Sequence, residues 1–156
     1  MSIFAILQKA GVVGLKFVNG DIFSSKAQII TNPINCVGVM GAGLALEFKT
    51  HYPEMYKDYV KKCEKKEVKI GVPYLWNNIL NFPTKHHYRN SSKLKDIELG
   101  IQYLVDNYQT LGIKSIAMPA LGCGLGGLKF EKVKPIFEQY FSNLQDLEVE
   151  IYLPID

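Results

Sequence analysis

Cysteine is scarce in this chain: Cys36, Cys63 and Cys123 are scattered, odd in number and form no CxxC pair. That pattern offers neither a disulfide framework nor zinc-ligand spacing, and it fits a reducing, cytoplasmic setting. Long apolar runs are missing too, so nothing here spans a bilayer as a helix. Residues 1–14 are apolar with Lys9 as their cation, without the basic-then-apolar order of a signal peptide. There is no internal repeat and no low-complexity linker. Net charge is only +3, too mild to argue nucleic-acid binding by itself. No glycine-rich stretch ends in Gly-Lys-Ser/Thr, and none is a GxGxxG with an acidic residue at the dinucleotide distance.

What is present is the composition of an ordinary soluble domain, 47% hydrophobic and 21% charged over 156 residues. That length predicts one domain, residues 1–156, with a core that needs no staple. Strand-like and helix-like patterns alternate, which predicts an α/β layered fold. Residues 15–18 alternate with period two and stop at Asn19-Gly20-Asp21. Residues 27–31 read as a buried strand closed by Asn32-Pro33. A short helix over 44–49 follows a glycine-rich loop, and Pro53 opens a second helix. Two short strands near 73–76 and 79–82 flank the turn Asn77-Asn78. The clearest helix starts after Ser91-Ser92, a candidate N-cap, carries Leu94, Ile97, Ile101 and Leu104 on one face, and stops by Gly112. Residues 115–119 form another buried strand, Val133 to Leu144 mark a last helix with Pro135 near its start, and 149–153 close the sheet. Long β-α crossovers make most of that sheet parallel, with helices on both faces.

Two glycine-rich loops, Gly38-Val39-Met40-Gly41-Ala42-Gly43-Leu44 and Gly122-Cys123-Gly124-Leu125-Gly126-Gly127, each lie between a strand and a helix. Glycine lets backbone N–H groups approach a phosphate, and the following helix adds its dipole. One such loop could be a tight turn alone. Two in equivalent positions at strand ends point to a diphosphate held between them. Asp21 can accept a hydrogen bond from an exocyclic amine, or simply cap a turn. Asn35 can bond a ribose hydroxyl, or tie down its own loop.

Taken together, Gly20-Asp21-Ile22, Asn32-Pro33-Ile34-Asn35, Gly41-Ala42-Gly43-Leu44-Ala45 and Gly122-Cys123-Gly124-Leu125 resemble the macrodomain signature in order and spacing. The similarity runs from about residue 15 to 153. It implies a three-layer α/β/α sandwich with a mixed, mainly parallel sheet, and an ADP-ribose cleft; no cofactor and no metal are expected. It further implies Asp21 on adenine, Ile22 lining the adenine site and Asn35 on the distal ribose. Gly41, Ala42, Gly43, Leu44, Cys123, Gly124, Leu125 and Gly126 would wrap the diphosphate and distal ribose.

Within macrodomains, Asn81-Phe82-Pro83-Thr84-Lys85-His86-His87-Tyr88-Arg89 resembles the branch containing the terminal ADP-ribose glycohydrolase and the DNA ADP-ribosyl glycohydrolase antitoxin. The Thr84-Lys85 pair is where that branch carries its catalytic lysine. A neutral amine at Lys85 could attack the anomeric carbon of the distal ribose, or a charged one could stabilise the leaving group. The terminal glycohydrolase pairs its lysine with an aspartate where this chain has Gly126, which is the antitoxin-like arrangement. The antitoxins carry a further C-terminal domain that grips the toxin. This chain runs to Asp156, just past the last expected strand, so neutralisation by that grip is not expected.

Lys85, His86, His87, Arg89, Lys93 and Lys95 form a basic stretch able to follow a DNA or RNA backbone, or simply to be solvated. Tyr88 within it can stack on a base or pack. Lys57, Lys61, Lys62, Lys65, Lys66 and Lys69 alternate with Asp58, Glu64 and Glu67 and read as a solvated helix face. Cys123 has no identifiable histidine partner and reads as a small packed residue. The expected activity is ADP-ribosyl hydrolysis by a monomer, from a DNA base ahead of a protein Glu or Asp ester. A non-catalytic ADP-ribose reader and an ADP-ribose 1″-phosphate phosphatase are the alternatives.

Overall fold

The computed structural model describes residues 14–154, so the apolar N-terminal stretch lies outside the described residues. Six strands form one sheet in the order β1-β6-β5-β2-β4-β3. They are β1 (Gly14–Val18), β2 (Ile29–Ile34), β3 (Tyr74–Trp76), β4 (Ile79–Pro83), β5 (Ser115–Pro119) and β6 (Glu148–Tyr152). Every pairing is parallel except the β3–β4 hairpin. Asn77 turns that hairpin with φ 50, a left-handed conformation asparagine tolerates.

Helices α1 (Gly43–His51) and α2 (Pro53–Glu64) cover one face, and α3 (Leu94–Asn107) and α4 (Phe130–Phe141) cover the other. Neighbouring strand residues therefore enter different cores. Ile29 and Leu80 join Ile97, Ile101, Phe137 and Phe141, whereas Ile30 and Ile79 join Phe48, Met55 and Tyr59. Burial on both sides explains why β2, β4 and β5 read as apolar runs. The expected three-layer α/β/α sandwich with a mainly parallel sheet is the fold observed. No described helix is long and apolar enough to cross a membrane.

Three local expectations need correction. Asn32-Pro33 does not close β2, which continues to Ile34 and pairs with β4 from Ile30 to Ile34. The even-numbered residues face β4, since Ile30 N donates to Asn78 O and Thr84 N donates to Ile34 O. Pro33 therefore faces β5, where its missing N–H costs the β4 ladder nothing. Ser91-Ser92 does not cap α3; Lys93 stands at the N-cap without a side-chain cap bond. Ser92 is buried instead, and its N–H donates to Gly126 O at 2.9 Å. Pro135 lies inside α4 rather than at its start.

α3 lies tight against the sheet at Gly100. A Cβ there would overlap Phe82 Cζ and stand 2.7 Å from Phe82 Cε1, and Phe82 is fully buried. Gly100→Ala gains about 1 kcal/mol of helix propensity but overpacks by about 1–3 kcal/mol. The clash should win, because the ring has no room to retreat. The expected result is a thermal midpoint lower by up to about 8 °C, read by calorimetry. A rise would mean that Phe82 repacks freely.

Candidate active site

β2 and β5 are paired only at Ile29–Ile116 and Ile30–Ala117. By that register the next bonds would run from Pro119 N to Thr31 O and from Pro33 N to Pro119 O. Neither proline has an N–H, so the ladder stops and the strand ends part. The two glycine-rich loops follow these two strands, one on each side of the opening. A crevice at the carboxyl ends of parallel strands is where open α/β sheets bind ligands.

The crevice is a cleft of about 1230 Å³. Each parallel strand sends residues into it: Asp21 and Ile22 after β1, Asn35 after β2, Thr84 and Lys85 after β4, Gly122 to Gly126 after β5, Tyr152 at the end of β6 and Leu153 after it. Every residue expected at the site, including Gly41, Ala42, Gly43, Leu44, Cys123, Gly124 and Leu125, lines this one cleft. The volume exceeds the usual ~300–1,000 Å³ of a small-molecule pocket, leaving room for a group attached to the ligand.

Asp21 caps the single 3₁₀ turn Ile22–Ser24, its Oδ1 accepting from Phe23 N at 3.0 Å. Its other carboxylate oxygen makes no hydrogen bond among the described residues and remains open to a donor. Asn35 shows the loop-pinning alternative in full. Its Oδ1 accepts from Val37 N at 3.0 Å and from Tyr59 Oη at 2.7 Å, while Nδ2 donates to Val39 O at 2.7 Å. One N–H of that amide is left for a ligand. Burial pushes the Tyr59 hydroxyl far above its ordinary range, so it stays a donor to Asn35.

The two glycine loops meet across the cleft. A Cβ on Gly43, at φ +58, would touch Leu125 Cδ1 at 3.5 Å. Leu125 itself is 71% exposed. The second loop is held from behind. Leu128 N donates to Gly122 O and Ser92 N to Gly126 O, both at 2.9 Å. A Cβ on Gly126 would overlap Ser92 Oγ and lie 2.6 Å from Gly122 O. Glycine at 126 is therefore a packing requirement, as well as the place where an aspartate would stand in the terminal glycohydrolase.

Thr84 is buried and fixed to Ile34 O through its N–H at 2.8 Å and its Oγ1 at 3.3 Å. This holds the backbone from which Lys85 enters the cleft, half-exposed. Lys85 is the only basic side chain among the described residues that line the cleft. It makes no hydrogen bond or ion pair among them. His86 and Arg89 are exposed and lie outside the lining of the cleft.

Sequence reasoning missed Glu47, Tyr152, Leu153 and Pro154, all of which line the cleft. Glu47 is one helical turn beyond Gly43, a spacing that could have flagged it. Tyr152 ends a parallel strand, as Ile34 does, but no turn glycine follows to mark it. The lysines of α2 behave as a solvated face, with Lys57–Glu54 at 3.1 Å and Lys62–Asp58 at 3.4 Å.

The Macro domain family profile matches residues 31–137 of this chain. The chain belongs to the macro domain family. It is 41% identical over 91% of its length to a DNA ADP-ribosyl transferase-DNA ADP-ribosyl glycohydrolase fusion protein of Thermosipho africanus, of which it spans 42%. The solved macrodomain of Thermus aquaticus DarG is 39% identical, with a TM-score of 0.85 over 90% of this chain and 98% of that one. Thermosipho africanus DarTG in complex with ADP-ribose is 42% identical, with a TM-score of 0.85 over 91% of this chain and 42% of that one. This macro domain therefore shares its fold with a relative solved around ADP-ribose.

The thiols of the macro domain are protonated at neutral pH. Burial pushes both Cys36 and Cys123 from 9.0 up to about 11. Cys123 is thus a packed residue, its Sγ 3.8 Å from Leu121 O. Folding holds protons that the unfolded chain releases above about pH 9. The stability this contributes is complete below pH 9 and is lost as pH climbs through 11. The urea midpoint should fall between pH 9 and 11, less steeply in Cys123→Ser. Identical slopes in the two proteins would rule out Cys123 as a source.

Proposed function

We propose that this domain binds ADP-ribose in the cleft and releases it from a modified DNA base, with Lys85 acting at the anomeric carbon of the distal ribose. Asp21 takes the adenine amine with its free carboxylate oxygen, beside Ile22. The loops 41–44 and 123–126 present backbone N–H groups to the diphosphate, where the N-terminus of α1 adds favourable potential. Asn35 offers its remaining N–H to the distal ribose.

One observation carries the reading: Lys85 is the single basic side chain among the described residues lining the cleft, and it has no ion-pair partner among them. In the covalent form of the mechanism, the neutral amine of Lys85 bonds to C1″ while the bond from C1″ to the base breaks. The base leaves with the electron pair and takes up a proton, and water then releases ADP-ribose from the lysine. In the electrostatic form, charged Lys85 stabilises the departing base and water attacks C1″. Gly126 supports the DNA reading over the protein-ester one, because the acid that would assist the lysine is absent. The similarity to proteins named as DNA ADP-ribosyl glycohydrolases supports it as well.

The test sets a base-modified oligonucleotide beside a peptide ADP-ribosylated on glutamate. Release from the oligonucleotide alone is the expected result. Release from the peptide alone would move the domain to the protein-ester class. Binding of ADP-ribose with release from neither would leave a reader.

A further inference from the structure

We propose that Tyr88 is a stacking platform for the nucleobase adjacent to the ADP-ribosylated nucleotide of a single-stranded substrate. This rests on the DNA reading of the cleft and adds a strand-binding subsite to it. Tyr88 lines the cleft with Lys85 and is 43% exposed.

The ring does not stand on a slack loop. Cys36 N donates to His86 O at 2.8 Å and Asn90 N to His87 O at 2.9 Å. His87 N donates to Asn90 Oδ1, and Arg89 N to His87 Nδ1, both at 3.1 Å. With Thr84 tied to β2, the turn is fixed on both sides of the tyrosine. Its neighbours are planar: the His87 ring lies 4.2 Å away, tilted by 31°, and the Arg89 guanidinium lies 5.7 Å from the ring centre. A rigid, partly open aromatic costs little to order when a base stacks on it.

The surroundings suit a nucleic acid. Residues 84–95 contain no carboxylate, and Arg89, Lys93 and Lys95 are exposed along them. These cations can follow phosphates leading away from the cleft mouth. A base whose ADP-ribose bond must reach Lys85 cannot remain stacked in a duplex. Its neighbour then loses a stacking partner, and Tyr88 stands beside Lys85 to replace it.

Binding is measured in a Lys85→Ala parent, which prevents turnover. The ligands are free ADP-ribose, an ADP-ribosylated nucleoside, and a single-stranded oligonucleotide with 2-aminopurine beside the same modified base. Adding Tyr88→Ala should weaken the oligonucleotide about tenfold, abolish 2-aminopurine quenching and leave the other two ligands within about twofold. Tyr88→Phe and Tyr88→Trp should restore both signals. Unchanged oligonucleotide affinity and quenching would overturn the platform while leaving the DNA reading intact. Equal losses for all three ligands would also overturn it, by assigning Tyr88 to the ADP-ribose itself. Failure of the wild-type protein to release ADP-ribose from this oligonucleotide, with free ADP-ribose still bound, would remove the DNA reading and the platform together.

Discussion

Lys85→Ala should lower ADP-ribose release from its substrate on the order of a thousandfold while free ADP-ribose still binds. The amine is the one cation the described cleft offers to a developing charge, and its backbone is fixed by Thr84 rather than by the amine's own contacts. Removing the side chain therefore leaves the cleft in place, and the loss should fall on turnover rather than on affinity. Lys85→Arg then separates the two mechanisms. Arginine keeps the charge but is not a nucleophile. A covalent mechanism predicts a loss as complete as that of alanine, whereas electrostatic stabilisation predicts partial activity. Release at the wild-type rate by Lys85→Ala would exclude the lysine from the chemistry.

The second large effect is expected at Gly126. Installing the acid of the terminal glycohydrolase, as Gly126→Asp, should not create a two-residue mechanism. Its Cβ would overlap Ser92 Oγ and approach Gly122 O to 2.6 Å, and both neighbours are held by backbone hydrogen bonds. Overpacking of this kind costs about 1–3 kcal/mol, or about 2–12 °C in thermal midpoint for a domain of this size. The whole loop 122–127 must shift to relieve it, so ADP-ribose affinity should fall at least about tenfold, the equivalent of 1.4 kcal/mol. Calorimetry and ligand titration read the two effects. A stable Gly126→Asp protein with wild-type affinity would show that the loop adapts and that glycine at 126 reflects chemistry alone.

Much of the site was legible because it depends on chain-local features. Glycine clusters after apolar runs mark loops at strand ends, and in a parallel sheet those ends share one edge. That logic reached Asp21, Asn35 and both loops; Lys85 was reached through the resemblance of its Thr84-Lys85 motif to other macrodomains. It did not reach Glu47 or Tyr152, which lie on regular elements and carry no turn signal. It misplaced Ser92, because serine before a helical pattern looks like a cap whether its partner is the helix or a loop more than thirty residues away. It also ended β2 too early, because a proline's effect depends on which side of the strand its nitrogen faces.

By itself the sequence determined the layered α/β fold, the two faces of buried strand and the chemistry of the strand-end residues, because periodicity and turn residues act over a few positions. The tertiary structure decided where the cleft opens. Pro33 and Pro119 are distant in the chain, and only the β2–β5 register sets their missing donors in consecutive positions of one ladder and ends it. It also decided that Leu125 meets Gly43, that Ser92 locks Gly126, and that Lys85 enters the cleft while His86 and Arg89 do not. These are contacts between segments whose spacing along the chain carries no trace of their meeting in space.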